Sequence, residues 1–247
     1  MRRFPVRVAV LADVHGNVPA LEAVLRDVAA AGVDAVVLNG DIAGGPMPGE
    51  TLDRLAELGE RAIWVHGNGE RELVEAYDRV PGRVEDERTE YCASRLSRQQ
   101  RDLIADLPMS VVLDVTGLGP VRFCHATMRD DAEMVLVDSS VDLYREAFAG
   151  SDEATVVLGH THMPFDRLAD RRRFVNPGSV GMPYGGTGAY WALLGPDVVL
   201  RRTDYDLNAA AETLRAAAPD FPDIAEFIEA NLLTTASDAE ALAAFSA

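Results

Sequence analysis

Val6-Arg7-Val8-Ala9-Val10-Leu11-Ala12-Asp13-Val14-His15-Gly16-Asn17 is a β-branched, apolar run that ends on a carboxylate, an imidazole, a glycine and an amide. Its apolar part reads as a buried strand. Working outward, Leu21, Val24, Leu25 and Val28 recur at helical spacing, which predicts a helix over Val18 to Ala31. Asn17 suits its N-cap, Pro19 its first turn and Gly32 its stop. A second buried strand fits Ala35 to Leu38, and a loop with two prolines fits Gly44 to Gly49. Leu52, Leu55 and Leu58 mark a short helix ended by Gly59, and Ala62 to Val65 reads as a third strand. A β-α-β-α-β run implies a largely parallel sheet covered by helices.

Beyond it, Arg88 to Leu107 reads as mostly helical, closed by Pro108. Ser110 to Val115 and Val121 to Cys124 read as strands around the turn Thr116-Gly117-Leu118-Gly119. A helix near Val141 to Phe148 precedes a strand at Thr155 to Leu158. Short strands follow at Arg173 to Val175, Ala189 to Leu194 and Val198 to Arg202. There is no internal repeat and no linker, so the chain is expected to form one domain over 1–247, with a helical extension from about residue 205. In that extension Phe221, Ile224, Phe227, Ile228 and Leu232 form an apolar stripe, which either packs on the core or makes a dimer contact. Monomer and homodimer therefore both stay open.

The 247 residues are 48% hydrophobic and 26% charged, as in soluble globular proteins. A net charge of −17 repels nucleic-acid backbones and anionic membranes, so broad binding to either is not expected. It leaves a phosphate substrate open, because bound divalent metals reverse the local field. Cys92 and Cys124 are the only cysteines and read as reduced, buried thiols. The apolar run after Met1-Arg2-Arg3-Phe4-Pro5 is too short for a signal segment or a membrane span. A cytoplasmic location is expected.

The five histidines, at 15, 66, 125, 160 and 162, each fall at or near the end of a predicted strand. Strand ends are where α/β sheets build their sites. Asp13 and His15 stand at i and i+2, and in an extended chain they would point to one side and share a metal. Gly40-Asp41 closes the second strand with a carboxylate able to bridge two cations, and Gly67-Asn68 closes the third with a neutral oxygen ligand. His125 follows Val121 to Cys124, and strand alternation then sends Cys124 to the core. Gly159-His160-Thr161-His162 follows Thr155 to Leu158. Each piece alone also reads as a cap, a turn or a loop histidine. Imidazole, carboxylate and amide oxygen without thiolate suit Mn²⁺ or Fe, with Zn²⁺ as an alternative.

Taken in order, Asp-x-His, Gly-Asp, Gly-Asn, a lone His and Gly-His-x-His resemble the calcineurin-like metallophosphoesterase family over about residues 6 to 203. The resemblance implies a four-layer α/β/β/α sandwich with two mixed β-sheets flanked by helices. It implies that Asp13, His15 and His162 bind one divalent metal, that Asn68, His125 and His160 bind a second, and that Asp41 bridges them. Asp41, Asn68 and His125 would then act through a metal-bridged hydroxide that attacks phosphorus in line. Asn176-Pro177-Gly178-Ser179-Val180-Gly181 looks like a turn that buttresses such a site.

Many members of that family read Gly-Asn-His-Asp/Glu, whereas this chain reads Gly67-Asn68-Gly69-Glu70. The histidine that would protonate the leaving group is replaced by Gly69. General-acid help is worth ~10²–10⁴ in rate, and its loss weighs most on alkoxide leaving groups. A compact prokaryotic branch of the family shares the lack, and phosphodiesterase activity is associated with it. A phosphodiesterase or nucleotide pyrophosphohydrolase acting on a small phosphoester or nucleotide is therefore expected. A phosphomonoesterase is the alternative within the family, and a non-catalytic metal-binding or interaction module the alternative outside enzymes. His66 is a candidate substitute proton donor. Arg71, Arg129 and Tyr184 are candidate substrate contacts. Asn17 and Asn39 are expected to bond backbone, and His125-Ala126, where relatives have His-Gly, to alter the loop and not the ligand.

Overall fold

The side chains of β1 (Val8–Leu11) alternate between two cores. Ala9 and Leu11 enter one apolar cluster, while Val8 and Val10 enter another. β2 (Ala35–Asn39) and β3 (Ala62–Val65) lie parallel to β1 in the register Ala9 to Val36 and Val37 to Ile63. Two antiparallel strands, β9 (Ala189–Leu194) and β10 (Val198–Thr203), complete a five-stranded sheet in the order β10-β9-β1-β2-β3. The second sheet has the order β4-β5-β6-β8-β7 and is also mixed. It is built from β4 (Ser110–Val115), β5 (Gly119–Cys124), β6 (Thr155–Val157), β7 (Phe165–Ala169) and β8 (Arg172–Asn176). Within it β5, β6 and β8 run parallel.

The computed structural model describes residues 6–83 and 86–245; the opening Met1-Arg2-Arg3-Phe4-Pro5 lies outside them. Val8, Val10, Val37, Ala192 and Leu194 of the first sheet meet Val121, Phe123, Val157 and Val175 of the second in one buried layer. The outer face of the first sheet is covered by α1 (Val18–Ala31) and by α7 (Leu207–Ala217), among others. The outer face of the second carries α6 (Val141–Ala147), whose Tyr144 and Ala147 pack with Phe174. The expected sandwich of two mixed sheets flanked by helices is the observed one.

α1 has the expected bounds and caps. The Asn17 side chain accepts from Ala20 N at 3.2 Å, and Gly32 closes the helix with φ 63°. Several elements differ from expectation. α2 (Pro48–Ala56) begins inside the expected loop, because Pro48 and its fixed φ suit a first helical turn. The single helix expected over Arg88 to Leu107 is two, α4 (Glu87–Ser94) and α5 (Arg98–Ala105). Ser97 breaks it: its hydroxyl accepts from Gln100 N, and the Gln100 amide oxygen accepts from Ser97 N, a reciprocal cap that starts a new helix. α3 (Asn68–Tyr77) and β7 were not expected at all.

The tail continues after α7 with α8 (Ile224–Ile228), a π turn at Glu229–Leu233 and α9 (Asp238–Phe245). Phe221, Phe227, Ile228 and Leu232 are buried in the same cluster as α1, with Ile224 packed against it, so the stripe is spent on the core. Among the described residues no helix is long and apolar enough to cross a membrane.

Candidate metal centre

The parallel strands of both sheets deliver their C-terminal ends to one place. Asp13 and His15 follow β1, Asp41 follows β2, Asn68 opens α3 after β3, His125 follows β5, and His160 and His162 follow β6. The loops are stitched to each other: Asp13 N donates to Gly40 O at 3.0 Å, His15 N to Asp41 O at 3.1 Å, and Gly159 N to His125 O at 2.7 Å. Gly40 adopts φ 86°, and a Cβ there would stand 2.4 Å from Nδ1 of His125. Only glycine lets these two loops close.

Asp13 and His15 do not share a side by extended-chain alternation. Asp13, His15, Asp41, His160 and His162 have φ of 56°, 47°, 54°, 66° and 57°, all left-handed. Asp and His tolerate that region better than most residues, and such conformations persist only where the surroundings over-determine them. The convergence therefore comes from tight loops locked by tertiary hydrogen bonds.

Two groups of three side chains each bring one donor atom apiece to within 4.8 Å of one another: Asp13, His15 and His162, and Asp41, His125 and His160. Asn68 joins the second group, its Oδ1 3.2 Å from Nε2 of His125. Asp41 lies between them, Oδ1 3.4 Å from His125 Nε2 and Oδ2 3.9 Å from His15 Nε2. The structure thus brings together all seven residues singled out as metal ligands.

The imidazoles explain what the cluster asks for. Nδ1 of His15, His125 and His162 lies 3.0, 2.9 and 2.8 Å from the carbonyls of Gly44, Asn39 and Met182, and Nε2 of His160 lies 3.1 Å from the carbonyl of Ala132. A carbonyl only accepts, so that nitrogen of each ring carries the proton. The opposite nitrogen then offers a lone pair, the tautomer that metal-bound histidines take. Nε2 of His125 faces two oxygens, and Nε2 of His15 and His162 face each other at 3.1 Å. Lone pairs so arranged need a cation between them. Without one, protons do the work. Burial opposes charge on His125, but the carboxylates of Asp41 and Asp13 outweigh it and hold its pKa up at about 10. His162 moves up in the same way, chiefly through Asp13, while burial and then His162 push His15 down. Burial opposes ionisation of Asp41 too, yet His125 and His15 hold it far below the usual carboxylate range. The donor set, two buried carboxylates among neutral imidazole lone pairs and an amide oxygen, fits divalent metals.

Two supports lie behind these residues. Ser179 Oγ donates to Asp13 O at 2.7 Å, Asn176 Nδ2 to Gly159 O at 2.7 Å, and Gly181 N to Asp13 O at 3.0 Å. The Asn176 to Gly181 turn therefore buttresses the loops after β1 and β6, as expected. The other support is Glu70, which the motif spacing alone does not mark as a functional residue. Its buried carboxylate accepts from Asp41 N and Ile42 N at 2.8 Å each and from Gly67 N at 3.0 Å. Burial and then the Asp41 carboxylate push its pKa up to about 7, against the pull of those amides. The signal was present, since Glu70 is third in a helix that starts at Asn68, the usual reach-back position.

The His66 ring lies 3.1 Å from Oδ2 of Asp131, which also takes Arg71 through two nitrogens at 2.8 and 3.1 Å. Arg129 is half-exposed and paired with Glu133. Tyr184 stacks on His162, with ring centroids 5.6 Å apart and 26° between planes, and meets Phe245 of α9 edge-on. Asn17 and Asn39 bond backbone, at Gly181 O and Cys124 O. Cys124 is buried in the core, as alternation requires.

The sequence pattern of the calcineurin-like phosphoesterase superfamily domain matches residues 6–197. The chain belongs to this family. It is 24% identical over 234 residues to protein MJ0912 of Methanocaldococcus jannaschii, covering 84% of this chain and 91% of that one. It is 24% identical over 196 residues to phosphodiesterase YfcE of Escherichia coli K12, covering 76% and 86%. The crystal structure of a metallophosphoesterase from Sphaerobacter thermophilus superposes with a TM-score of 0.72 at 24% identity, covering 93% of this chain and 100% of that one.

For a calcineurin-like phosphoesterase, Gly69 is the departure that matters. Its N–H donates to Asp41 Oδ1 at 2.7 Å, and a Cβ there would lie 2.9 Å from the same oxygen. A side chain there crowds the Asp41 carboxylate, so either that carboxylate or the start of α3 must shift. Gly69→Ala is therefore expected to lower kcat/KM and metal affinity about 10–100-fold, the range for disturbed ligand supports. Gly69→His is expected to lose activity as well, although it restores an imidazole. Wild-type metal content and rate in Gly69→Ala would show that Asp41 has room to give.

Proposed function

We propose that this chain is a metal-dependent phosphodiesterase or nucleotide pyrophosphohydrolase acting on a small phosphoester. The observation that carries the reading is the tautomer pattern: four imidazoles each tie one nitrogen to a backbone carbonyl and turn the other toward Asp13, Asp41 and Asn68. Asp13, His15 and His162 would hold one divalent ion, Asn68, His125 and His160 another, and Asp41 both, with Mn²⁺ or Fe the preferred metals and Zn²⁺ the alternative. Such a pair, when bound, activates water and neutralises charge on phosphorus and on the leaving oxygen.

The chain's own residues set the preference. His125 and Asn68 hold one side of the phosphate position, with Asn68 oriented by Glu72, which accepts from its Nδ2 at 3.3 Å. Gly69 offers no proton donor to the leaving group, which favours diesters and anhydrides whose leaving oxygen needs little help. The name of the E. coli relative, a phosphodiesterase, supports the same direction. His66 is held by Asp131 beside Arg71, and Tyr184 stacks at the margin of the cluster as a substrate contact. The activity is assigned to a single domain, with the helices from about residue 205 as its extension, in a reducing cytoplasm that suits the free thiols Cys92 and Cys124.

The test compares bis(p-nitrophenyl) phosphate with p-nitrophenyl phosphate, using protein loaded with Mn²⁺. A higher kcat/KM for the diester is expected. A preference for the monoester would replace the reading with a phosphomonoesterase. Absence of both activities in protein shown to hold two ions per chain would sink the enzyme reading.

A further inference from the structure

The loop between β8 and β9, residues 181–188, makes two contacts with His162. His162 Nδ1 donates to the Met182 carbonyl at 2.8 Å, and the Tyr184 ring stacks on the imidazole at 5.6 Å with 26° between planes. These contacts fix different things. A hydrogen bond at one nitrogen pins one corner of the ring and leaves its plane free to rock about that point. A second ring lying against its face sets the plane. Together they set where Nε2 points, which is toward Oδ1 of Asp13 at 3.3 Å and Nε2 of His15 at 3.1 Å. His15 leans on the same imidazole, with ring centres 4.9 Å apart, so the plane of His162 bears on both histidines of that group.

Tyr184 is in turn held by the C-terminal extension. On the near side of its loop, Gly181 N and Met182 N donate to Asp13 O and Ser179 Oγ. On the far side, Gly185 N donates to Ala236 O at 2.9 Å, just before α9. At the other end of α9, Phe245 meets the Tyr184 ring edge-on at 5.7 Å. Between them, Ala241 and Leu242 pack with Leu136 and with Met163, the residue after His162. The helix lies beyond residues 6–197, so this contact is an addition to the family domain.

We propose that Tyr184 is a positioning residue for His162 and that α9 is the clamp that holds it there, so that the C-terminal extension tightens the grip of Asp13, His15 and His162 on one of the two ions. This role rests on the two-metal reading of the cluster. It uses the face of the Tyr184 ring and leaves the hydroxyl for the substrate contact.

The test is calorimetric titration of Mn²⁺ into the metal-free full chain, where wild type is expected to take up two ions. Loss of a support behind a ligand costs about 10–100-fold in metal affinity. Tyr184→Leu keeps apolar bulk against Phe245 but has no flat face, so it is expected to weaken one ion about tenfold and leave the other within about twofold. Tyr184→Phe keeps the stacked ring and should bind both ions as wild type does. Phe245→Ala removes the end of the clamp and should weaken the same ion by a smaller factor; it carries the comparison if Tyr184→Leu unfolds early. His162→Ala identifies that ion: with the imidazole gone, adding Tyr184→Leu should change the remaining affinity by less than about twofold. Equal weakening of both ions, no weakening of either, a phenylalanine as harmful as leucine, or an undiminished effect without His162 would overturn the role. If wild type takes up no ion, the metal reading fails instead, and carbethoxylation of His162 in metal-free protein still decides the clamp. Tyr184→Leu should then speed that reaction about threefold or more by uncovering the imidazole, and a wild-type rate would show that Tyr184 does not hold the ring.

Discussion

Replacing Asp41 by asparagine is expected to lower diester hydrolysis at least ~10³-fold and to reduce metal content below two ions per chain. Loss of an outer partner of a ligand costs about 10–100-fold, and Asp41 is the proposed shared ligand itself. Its two oxygens face different groups: Oδ1 lies near His125 and accepts from Gly69 N, while Oδ2 lies toward His15. An asparagine can keep the bond from Gly69 only by turning its oxygen that way. The NH₂ then points at His15 Nε2, a donor where a cation belongs. One buried negative charge is also lost, and with it the field that keeps His125 basic. The substitution is isosteric, so circular dichroism should match wild type while metal analysis and rate do not. Full activity with asparagine would remove Asp41 from the centre.

The candidate ligands are legible in the sequence, because they stand at strand ends in a fixed order. Hydrophobic strands such as Val8–Leu11 and Ala35–Asn39 are buried on both faces and announce themselves. The backbone that joins them to the ligands does not. Left-handed φ at His15 or His162 is set by bonds from distant loops, such as His15 N to Asp41 O, which no two-residue spacing encodes. α3 was missed for a related reason. Gly67-Asn68-Gly69 has the composition of a turn, and the glycine at its second helical position weakens intrinsic propensity. The buried Glu70 carboxylate overrides that preference. β7 was missed because only Phe165 and Ala169 of its five residues are buried, and an edge strand needs little hydrophobic content. In the tail the periodicity did show that Phe221 and Phe227 pack inward, but not that the same rings line a cavity beside Asp41.

Glu70 carries the other large expected effect, and here stability and activity should fall together. Glu70→Ala leaves Asp41 N, Ile42 N and Gly67 N without their acceptor in a dry interior. An unpaired buried donor costs about 1–3 kcal/mol, so three predict a loss on the order of 5 kcal/mol. For a chain of this size each kcal/mol moves Tm by about 2–4 °C, which puts the expected drop on the order of 10–20 °C. Glu70→Gln separates geometry from charge. Oε2 takes two of the three amides and Oε1 the third, so a glutamine that turns its oxygen to Asp41 N and Gly67 N offends only Ile42 N. Its stability loss should be near a third of that of alanine. Both variants loosen the loop that carries Asp41 and the helix start that carries Asn68, so metal affinity should fall in the same order, alanine below glutamine below wild type. Calorimetric unfolding and metal titration of the three proteins check this. If alanine leaves Tm within about 2 °C of wild type, water or a backbone shift satisfies those amides, and Glu70 is not what fixes the two loops.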